Sequence, residues 1–346
     1  MSAGDTEHPV SSNAARRPPS EHGMPQRTGE RLAPPRTDDP VIEFCGLTCY
    51  FGRKCAVDQL SLSVPRGSVF GLLGRNGSGK TTALRALLGL LVPTRGTARL
   101  LGHDCRQLPP AVRGRVGYLT ESHQVYGWMR VAENGRYHAR FFPRWNERVF
   151  RGVLDYFRLD PRAKASHLSR GERAGLALAL TLAPEPEELV LADPTLGLDP
   201  VARRSVLEAM VYLSERSDRT VLFSSHILGD VERIADQIAI LDHGRLRALT
   251  TTAGFREHVR RVVLRFAGPP PEPPALPGLL QSVRSERELS LTIANFNGRH
   301  EAALAALGAE QTETVPLDFE EAFVNYVDDR GHRAFFLSDV TPGDRA

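Results

Sequence analysis

One stretch of nine residues constrains the fold of this chain more than any other. Residues 74–82 read GRNGSGKTT and match the P-loop pattern G-x-x-x-x-G-K-[ST]. That pattern requires a strand before it and a helix after it. The apolar run at 68–73 predicts a buried strand, and Leu84, Leu87 and Leu88 recur at helical spacing. The stretch therefore predicts a nucleotide-binding loop between a strand and a helix.

The residue types of this loop suit phosphate binding. Its glycines allow backbone N–H groups to turn inward around a phosphate, and the N-terminus of the following helix adds a partial positive charge. Lys80 can reach the β- and γ-phosphates, and the hydroxyl of Thr81 can hold Mg²⁺.

Composition indicates a soluble globular protein. The 346 residues suggest two or three domains, and 41% are hydrophobic and 25% charged. The net charge of +3 is too small to argue for a nucleic-acid partner. No apolar run approaches the roughly 18 residues that a membrane helix needs, so we expect any membrane role to come through a partner. The four cysteines match no zinc or disulfide pattern, which favours reduced thiols.

Residues 1–40 are predicted to form a disordered tail. They are rich in proline, serine, arginine and aspartate, so they bury too little apolar surface to offset chain entropy. A basic tail for lipid headgroups is the alternative. It is disfavoured because acidic residues offset the arginines: Asp5, Glu7, Glu21, Glu30, Asp38 and Asp39.

Strands and helices are predicted from residue 41 onward. An edge strand is expected at 41–44, and Ser169 with Glu172 forms a capping box before an apolar helix. Further strands are predicted at 60–64, 96–102, 116–121, 188–193 and 220–226, and helical segments at 131–166, 174–182 and 201–214.

Three of these strands end in side chains that can do chemistry. Glu121 and Asp193 are acids at strand ends, and Asp193 stands where a P-loop enzyme places its Mg²⁺-organising acid. His226 ends the next strand. A lone strand-end histidine is usually structural, but its place after two other strand-end motifs favours a function.

Two groups of aromatic residues leave alternatives open. Tyr50 and Phe51 precede the P-loop and are able to stack on adenine, although core packing is favoured from position alone. Tyr126, Trp128 and Met129 lie in a predicted loop at 122–130. They indicate either a protein contact or buried anchors.

Together these motifs resemble the ATP-binding subunits of ABC transporters, over roughly residues 41–248. The resemblance rests on the order of the P-loop, Glu121, LSRGE at 168–172, Asp193, GLD at 197–199 and His226. YLTE at 118–121 and FFPRW at 141–145 resemble bacterial exporter subunits whose permease is a separate chain.

The resemblance implies a fold and a division into domains. The fold is α/β, a P-loop NTPase of ABC type with a mixed-sheet core, at residues 41–250. A helical subdomain spans about 122–182, and a small C-terminal α+β domain with a disordered end spans 251–346.

The resemblance also implies roles for individual residues. The γ-phosphate and Mg²⁺ would be sensed by Glu121, where the family usually has Gln, and Thr81 would share the metal. Catalysis would use Asp193 and Glu121, with His226 clamping the γ-phosphate and the attacking water. Adenine would stack on Phe51. The phosphates would bind to Gly74, Asn76, Gly77, Ser78, Gly79, Lys80, Thr81 and Thr82.

The implied site needs two subunits. Ser169 and Gly171 would touch ATP held by the opposite subunit, and Asp199 would form the dimer seam. ATP and Mg²⁺ are the implied cofactors. The implied partners are an integral-membrane permease and a second ATP-binding subunit, in a homo- or heterodimer, with no nucleic acid. The implied location is the cytoplasmic face of the cell membrane, through the permease.

The chain departs from the family at the end of one strand. The family reads D-E-P-T where this chain reads ADPT at 192–195. Ala192 then replaces the acid that holds Mg²⁺ through water, and Asp193 replaces the glutamate that polarises the attacking water. The carboxylate of Asp193 falls about 1.5 Å short, and misplacements near 1 Å can cost about a hundredfold in rate. Arg170 and Glu172 also stand where Gly and Gln are usual.

Three functional hypotheses follow. The first is a slow but working ATPase in which Asp193 is the base and Glu121 supplies part of the missing charge. The second is an ATP-gated dimerisation module with little or no hydrolysis, because Ala192 accepts no hydrogen bond. A soluble ABC protein acting on ribosomes or DNA is disfavoured, since neither a second such domain nor a long coiled-coil insertion is visible.

The C-terminal residues predict a β-β-α-β-α order. Strands are expected at 261–266, 289–293 and 312–315, and helices at 301–307 and from an Asp318 cap to residue 328. LDFEEAF at 317–323 resembles the terminal helix of the same exporter subunits, where it implies dimer support or regulation. An added dimer contact is the favoured interpretation.

Overall fold

The computed structural model describes residues 40–217, 219–327 and the two-residue strand at 337–338. The disordered tail predicted for residues 1–40 therefore lies outside the described residues except for Pro40, as does nearly all of the end predicted to be disordered. None of the described helices is long and apolar enough to span a membrane.

Strands and helices alternate along most of the chain. The strands are β1 Ile42–Phe51, β2 Lys54–Val64, β3 Val69–Leu73, β4 Arg95–Leu100, β5 His103–Asp104, β6 Val116–Leu119, β7 Glu188–Ala192, β8 Thr220–Ser225, β9 Gln237–Asp242, β10 Arg245–Thr251, β11 Val259–Arg265, β12 Leu279–Arg284, β13 Glu288–Ala294, β14 Gln311–Pro316 and β15 Leu337–Ser338. The α-helices are α1 Lys80–Leu87, α2 Pro110–Arg113, α3 Val131–Ala139, α4 Glu147–Tyr156, α5 Arg170–Leu182, α6 Pro200–Ser217, α7 Leu228–Ile234, α8 Thr252–His258, α9 Gly298–Ala305 and α10 Phe319–Val327.

A seven-stranded mixed sheet positions the chemistry. Its strand order is β15-β10-β9-β3-β8-β7-β6, and the five strands from β9 to β6 run parallel. Strands β3, β7 and β8 are buried at every residue, as expected for near-continuous apolar runs covered on both faces. Because parallel strands end at one edge, the residues after β3, β6, β7 and β8 meet there.

A second, antiparallel sheet has the order β2-β1-β4-β5 and packs on α1 and the central sheet. The prediction of an edge strand at 41–44 is wrong, because β1 pairs with β2 on one side and with β4 on the other. The short apolar run at the start of β1 does not indicate that the strand pairs on both sides. Ile42 and Phe44 are buried in the core that the two sheets share.

Helices α3, α4 and α5, which fall within the helical subdomain predicted for about 122–182, share an apolar cluster. Its buried members include Val131, Phe150, Leu154 and Leu176. The prediction that residues 131–166 are mostly helical holds only for α3 and α4, since loops occupy 140–146 and 157–164.

The predicted capping box at the start of α5 is confirmed. The hydroxyl of Ser169 accepts from the Glu172 amide at 3.2 Å, and the Glu172 carboxylate accepts from the Ser169 amide at 2.8 Å.

The C-terminal sheet has the order β12-β13-β11-β14, and its core includes Leu304 of α9. The predicted β-β-α-β-α order missed β12, which follows the proline-rich loop without a distinct apolar alternation. Helix α10 begins at the predicted cap, where Asp318 accepts from the Glu321 amide at 2.6 Å. It packs on α8, with the Phe319 and Phe255 rings 5.3 Å apart, and so belongs to the core of the central sheet.

Candidate functional site

The P-loop connects β3 to α1 in the predicted strand–loop–helix arrangement. Gly74, Gly77 and Gly79 have φ of 151°, 82° and 105°, a region that only glycine adopts without strain. A Cβ at Gly79 would lie 2.4 Å from the carbonyl oxygen of Ala56. Helix α1 has no acidic residue in its first turn. The loop therefore presents backbone amides and a helix N-terminus to an anion.

Lys80 and Ser78 have polar groups that a phosphate can satisfy. Lys80 is buried, and its Nζ donates to the carbonyl oxygens of Gly74 at 2.6 Å and Arg75 at 3.2 Å. Burial lowers the Lys80 pKa, against the opposing charges of Asp193 and Glu121. The buried hydroxyl of Ser78 has no hydrogen-bond partner. These residues fit the phosphates of a nucleotide.

Asp193 and His226 meet at the carboxyl ends of neighbouring strands. Asp193 follows β7 in a left-handed conformation with φ of 42°, and only 7% of its surface is exposed. Its Oδ1 lies 2.7 Å from Nδ1 of His226 and accepts from the His226 amide at 3.2 Å. An ionised carboxylate only accepts hydrogen bonds, so opposite an ionised Asp193 the Nδ1 atom of His226 is the donor.

Ser224 fixes Asp193 from the adjacent strand. Its hydroxyl accepts from the Asp193 amide at 3.1 Å and donates to Oδ2 at 3.4 Å. Ser224 pairs in register with Ala192 and is completely buried. Nothing in the sequence singled out Ser224, because its role depends on the pairing of β7 with β8.

Ala192 offers no ligand to a metal. It is buried among Val190 and Leu222 in an apolar cluster. Glu121 is exposed after β6, and its charge acts on Lys80 together with that of Asp193. In the part of the chain that the structure describes, no three His, Cys, Asp or Glu side chains cluster closely enough to hold a metal ion. The acids at the strand ends therefore complete a magnesium site only when the Thr81 hydroxyl and the phosphate oxygens of a bound nucleotide are added.

The signature residues form a second group. Asp199 accepts from the amides of Val201 and Ala202 at 2.9 and 3.0 Å and so caps α6. A Cβ at Gly171 would lie 2.7 Å from the Cβ of Ala202 and 3.6 Å from the Asp199 carboxylate. Ser169 lies one residue before α5. No hydrogen bond or ion pair among the described residues joins this group to the P-loop.

The comparisons with known proteins agree with this geometry. The family model described as ABC transporter matches residues 57–196. The Nod factor export ATP-binding protein I of Ralstonia nicotianae is 37% identical over 211 residues, which is 60% of this chain and 65% of that protein. The daunorubicin/doxorubicin resistance ATP-binding protein DrrA of Streptomyces peucetius is 36% identical over 232 residues, which is 65% of this chain and 70% of DrrA.

The chain belongs to the ATP-binding subunits of ABC transporters. A solved structure titled as the ATP binding subunit of an ABC transporter has a TM-score of 0.57 and 28% identity, over 63% of this chain and 92% of that chain. The predicted α/β fold of ABC type is thereby confirmed. The chain spans slightly less than two thirds of the length of the Ralstonia relative, at 65%.

Phe51, for which the resemblance implies stacking on adenine, is the last residue of β1. Phe51 and Tyr50 at the end of β1 are 53% and 49% exposed. The interpretation of these residues as core packing is therefore wrong. An exposed ring beside Gly52 leaves a face free for stacking.

His123 of this ABC subunit makes a long-range contact that was not predicted from the sequence. It is buried in a left-handed conformation, with φ of 45°, and its Nε2 lies 2.9 Å from the carbonyl oxygen of Pro194. The neighbouring Thr195 hydroxyl donates to the buried carboxylate of Asp230 at 2.6 Å. These two contacts hold the turn that carries Asp193. A histidine in a predicted loop gave no signal of this long-range contact.

Proposed function

We propose that this chain dimerises around ATP and hydrolyses it to drive a separate membrane permease in export. The observation that carries the proposal is the Asp193 carboxylate, fixed against His226 beside an intact P-loop. Export is favoured because the Ralstonia relative is named for Nod factor export and the Streptomyces relative for drug resistance. The location that follows is the cytoplasmic face of the membrane, through the permease.

ATP binding is assigned to three groups of residues. The exposed ring of Phe51 stacks on adenine. The amides of the P-loop and Lys80 hold the phosphates, since Lys80 exchanges the carbonyl oxygens of Gly74 and Arg75 for phosphate oxygens. Thr81 and Glu121 are the residues that would hold Mg²⁺, which when bound neutralises charge on the phosphates.

Hydrolysis is assigned to Asp193 with His226. Asp193 accepts a proton from the attacking water, whose oxygen bonds to the γ-phosphorus as the bond to the bridging oxygen breaks, giving ADP and phosphate. Ser224 and the His226 ring hold the carboxylate in one orientation. Fixed orientation is the main contribution a protein makes to phosphoryl transfer.

The proposed site is shared between two copies. Ser169, Gly171 and Asp199 form a group of their own, so they are available to ATP bound by a second subunit. The second subunit is either another copy of this chain or a related one. The permease supplies the membrane-spanning part and selects what is transported.

A second candidate function rests on Ala192. The alanine is buried among apolar side chains, so no acid stands at that position to hold Mg²⁺ through water. In this alternative the subunit closes around ATP and hydrolyses little of it. A competent partner subunit then supplies the turnover.

The test is the rate of Mg·ATP hydrolysis per subunit as protein concentration increases. A site shared between two copies predicts a rate per subunit that rises with concentration and then saturates. A brisk rate that does not depend on concentration would contradict the shared site. Bound ATP with no turnover at any concentration, together with turnover restored by Ala192→Asp, would establish the second candidate instead.

A further inference from the structure

Arg170 departs from the family pattern, and the proposed function gives it no role. It is the first residue of α5 and stands between Ser169 and Gly171, where the family usually has glycine. Its side chain is exposed, as is that of Ser169. Ser169 and Gly171 are the residues proposed to contact ATP held by a second copy. A second copy that closes on them therefore also meets an arginine.

Two acidic side chains near the start of α5 make other contacts. The carboxylate of Glu172 accepts from the Ser169 amide at 2.8 Å. The Oδ1 atom of Asp199 accepts from two amides at the start of α6, at 2.9 and 3.0 Å. Over the residues that the structure describes, no ion pair or hydrogen bond engages the Arg170 guanidinium. An exposed guanidinium is solvated by water, so its N–H donors are available to an incoming ligand.

The guanidinium of Arg170 lies beside the turn that connects β7 to α6. Gly197 in this turn has φ of 71°, and a Cβ built there would lie 3.0 Å from Nη1 of Arg170. The same turn begins at Asp193 and ends at Asp199. Arg170 is therefore placed next to both the signature residues and the segment that carries the proposed base.

The charge of this chain differs from that of its family at two places in the proposed site. Ala192 replaces an acid at the end of β7, and Arg170 adds a cation at the start of α5. Phosphoryl transfer needs positive charge around the γ-phosphate oxygens, which metal ions and lysine or arginine side chains provide. A guanidinium is always charged and can donate to two phosphate oxygens at once. The added cation is thus of a kind that offsets a weaker hold on Mg²⁺.

We propose that Arg170 of one copy donates hydrogen bonds to the γ-phosphate oxygens of ATP bound by the other copy. It stabilises the negative charge that develops there as water attacks, which makes it a catalytic residue supplied in trans. The guanidinium forms no covalent bond and keeps its protons, so the products remain ADP and phosphate. The inference rests on the proposed function, because it requires a site shared between two copies.

The first test measures the association of two copies rather than turnover. The full chain carries Asp193→Asn so that ATP persists, and sedimentation gives the dimer Kd with saturating ATP and with saturating ADP. Arg170→Gln should raise the Kd about tenfold in ATP, as the loss of one charge-assisted contact predicts. It should leave association in ADP unchanged, since ADP has no γ-phosphate. Arg148→Gln, at an exposed arginine in the first turn of α4, is the matched control and should change neither value.

The comparison of ATP with ADP separates this inference from the proposed function. An unchanged Kd in ATP after Arg170→Gln would overturn the inference and leave the shared site intact. A Kd that rises equally in ADP would also overturn it, because the contact would then not involve the γ-phosphate. A chain with Arg170 present that does not associate in ATP would contradict the shared site itself.

The second test measures turnover after substitution of Arg170. Arg170→Gly restores the residue that is usual in the family, yet we expect kcat to fall at least about tenfold and the Mg²⁺ concentration for half-maximal rate to rise. Arg170→Gln should show the same loss. Arg170→Lys should retain part of the rate, because an ammonium keeps the charge without the planar fork. Unchanged or faster turnover in the Gly and Gln variants would overturn the inference.

The third test shows which copy's ATP the arginine serves. A labelled Asp193→Asn chain at trace concentration is titrated with an excess of Lys80→Ala chain in ATP, and fluorescence anisotropy reports their association. Because Lys80→Ala should bind ATP weakly, the nucleotide is held by the labelled copy. Arg170→Gln in the excess copy should weaken association about tenfold, whereas the same change in the labelled copy should not. The opposite pattern would place Arg170 at the ATP of its own copy and overturn the inference.

Discussion

The P-loop and the end of β7 lie at the same edge of one sheet, yet they relate differently to the family. The P-loop keeps every residue that phosphate binding needs, with three glycines in conformations that only glycine adopts without strain. The end of β7 has alanine and aspartate where the family has aspartate and glutamate, and Asp193 is held by His226 and Ser224. The residues proposed for ATP binding and those proposed for hydrolysis therefore lie in separate segments, and substitutions can change one activity without the other.

The largest expected effect is the loss of ATP affinity when Lys80 of the P-loop is replaced. Lys80→Ala removes the buried ammonium that donates at 2.6 and 3.2 Å to carbonyl oxygens of the loop. We expect ATP affinity to fall by about a hundredfold or more, since hydrogen bonds from a charged group are worth about 1.5–3 kcal/mol each. Equilibrium binding of ATP measures the loss. An unchanged Kd for ATP would show that Lys80 does not contribute to nucleotide binding.

The second largest expected effect is on the pH dependence of stability. It arises from Glu188, which lies at the opposite end of β7 from Asp193. Burial raises its pKa from an ordinary 4.5 to about 7, and its nearest cation, Arg66, is 3.9 Å away. The folded state therefore holds the proton more tightly than the unfolded chain. Protonated Glu188 therefore stabilises the folded state. This contribution to the free energy of unfolding is fully present below about pH 4.5 and is lost as the pH rises through about 7.

Glu188→Gln should remove this pH dependence. We expect the variant to be more stable than the wild type by about 3 kcal/mol at pH 8 and by less than about 1 kcal/mol at pH 5, because the rise of the pKa from 4.5 to about 7 corresponds to about 1.4 kcal/mol per unit. Thermal or denaturant unfolding at the two pH values measures the difference. Turnover should not change, in contrast to variants at the other end of the strand. A wild type whose stability rises between pH 5 and 8 relative to the variant would contradict the account.

Ser224→Ala tests how firmly Asp193 must be held. The change removes the hydroxyl that contacts both the amide and the carboxylate of Asp193. We expect kcat to fall about tenfold with little change in KM for ATP, as for a small misplacement of a reacting group. Ser224→Thr keeps a hydroxyl and serves as the control. Equal losses in kcat and ATP affinity would indicate a general structural defect.

Glu121→Gln should have the smallest effect. It keeps the shape of the side chain and removes one exposed charge near Lys80. We expect turnover to fall about threefold and the Mg²⁺ concentration for half-maximal rate to rise, since an exposed charge contributes less than about 1 kcal/mol. Turnover against Mg²⁺ concentration measures both effects. If neither changed, Glu121 would not compensate for Ala192.

The sequence predicted the parts of the molecule that depend on local pattern. The P-loop, the capping box at Ser169 and the cap at Asp318 each rest on a few neighbouring residues, and their geometry is as expected. Exposure of Phe51 was predicted incorrectly, because it depends on where β1 ends in a sheet.

The contacts that were not predicted join residues far apart in the chain. The pairing of β1 with β4, the bond from His123 to Pro194 and the bonds from Ser224 to Asp193 all depend on tertiary packing. Strand β12 has a run of exposed residues that carries little periodic signal. Local sequence patterns contain no information on such partners.

The most direct measurement is phosphate release at saturating Mg·ATP by the wild type and by Asp193→Asn, with bound ATP determined in both. We expect both proteins to bind ATP equally. We expect the wild type to hydrolyse ATP at least about a hundredfold faster, because the variant lacks a positioned general base. Equal rates with ATP bound in both would contradict the central claim that Asp193 is the base of a working ATPase.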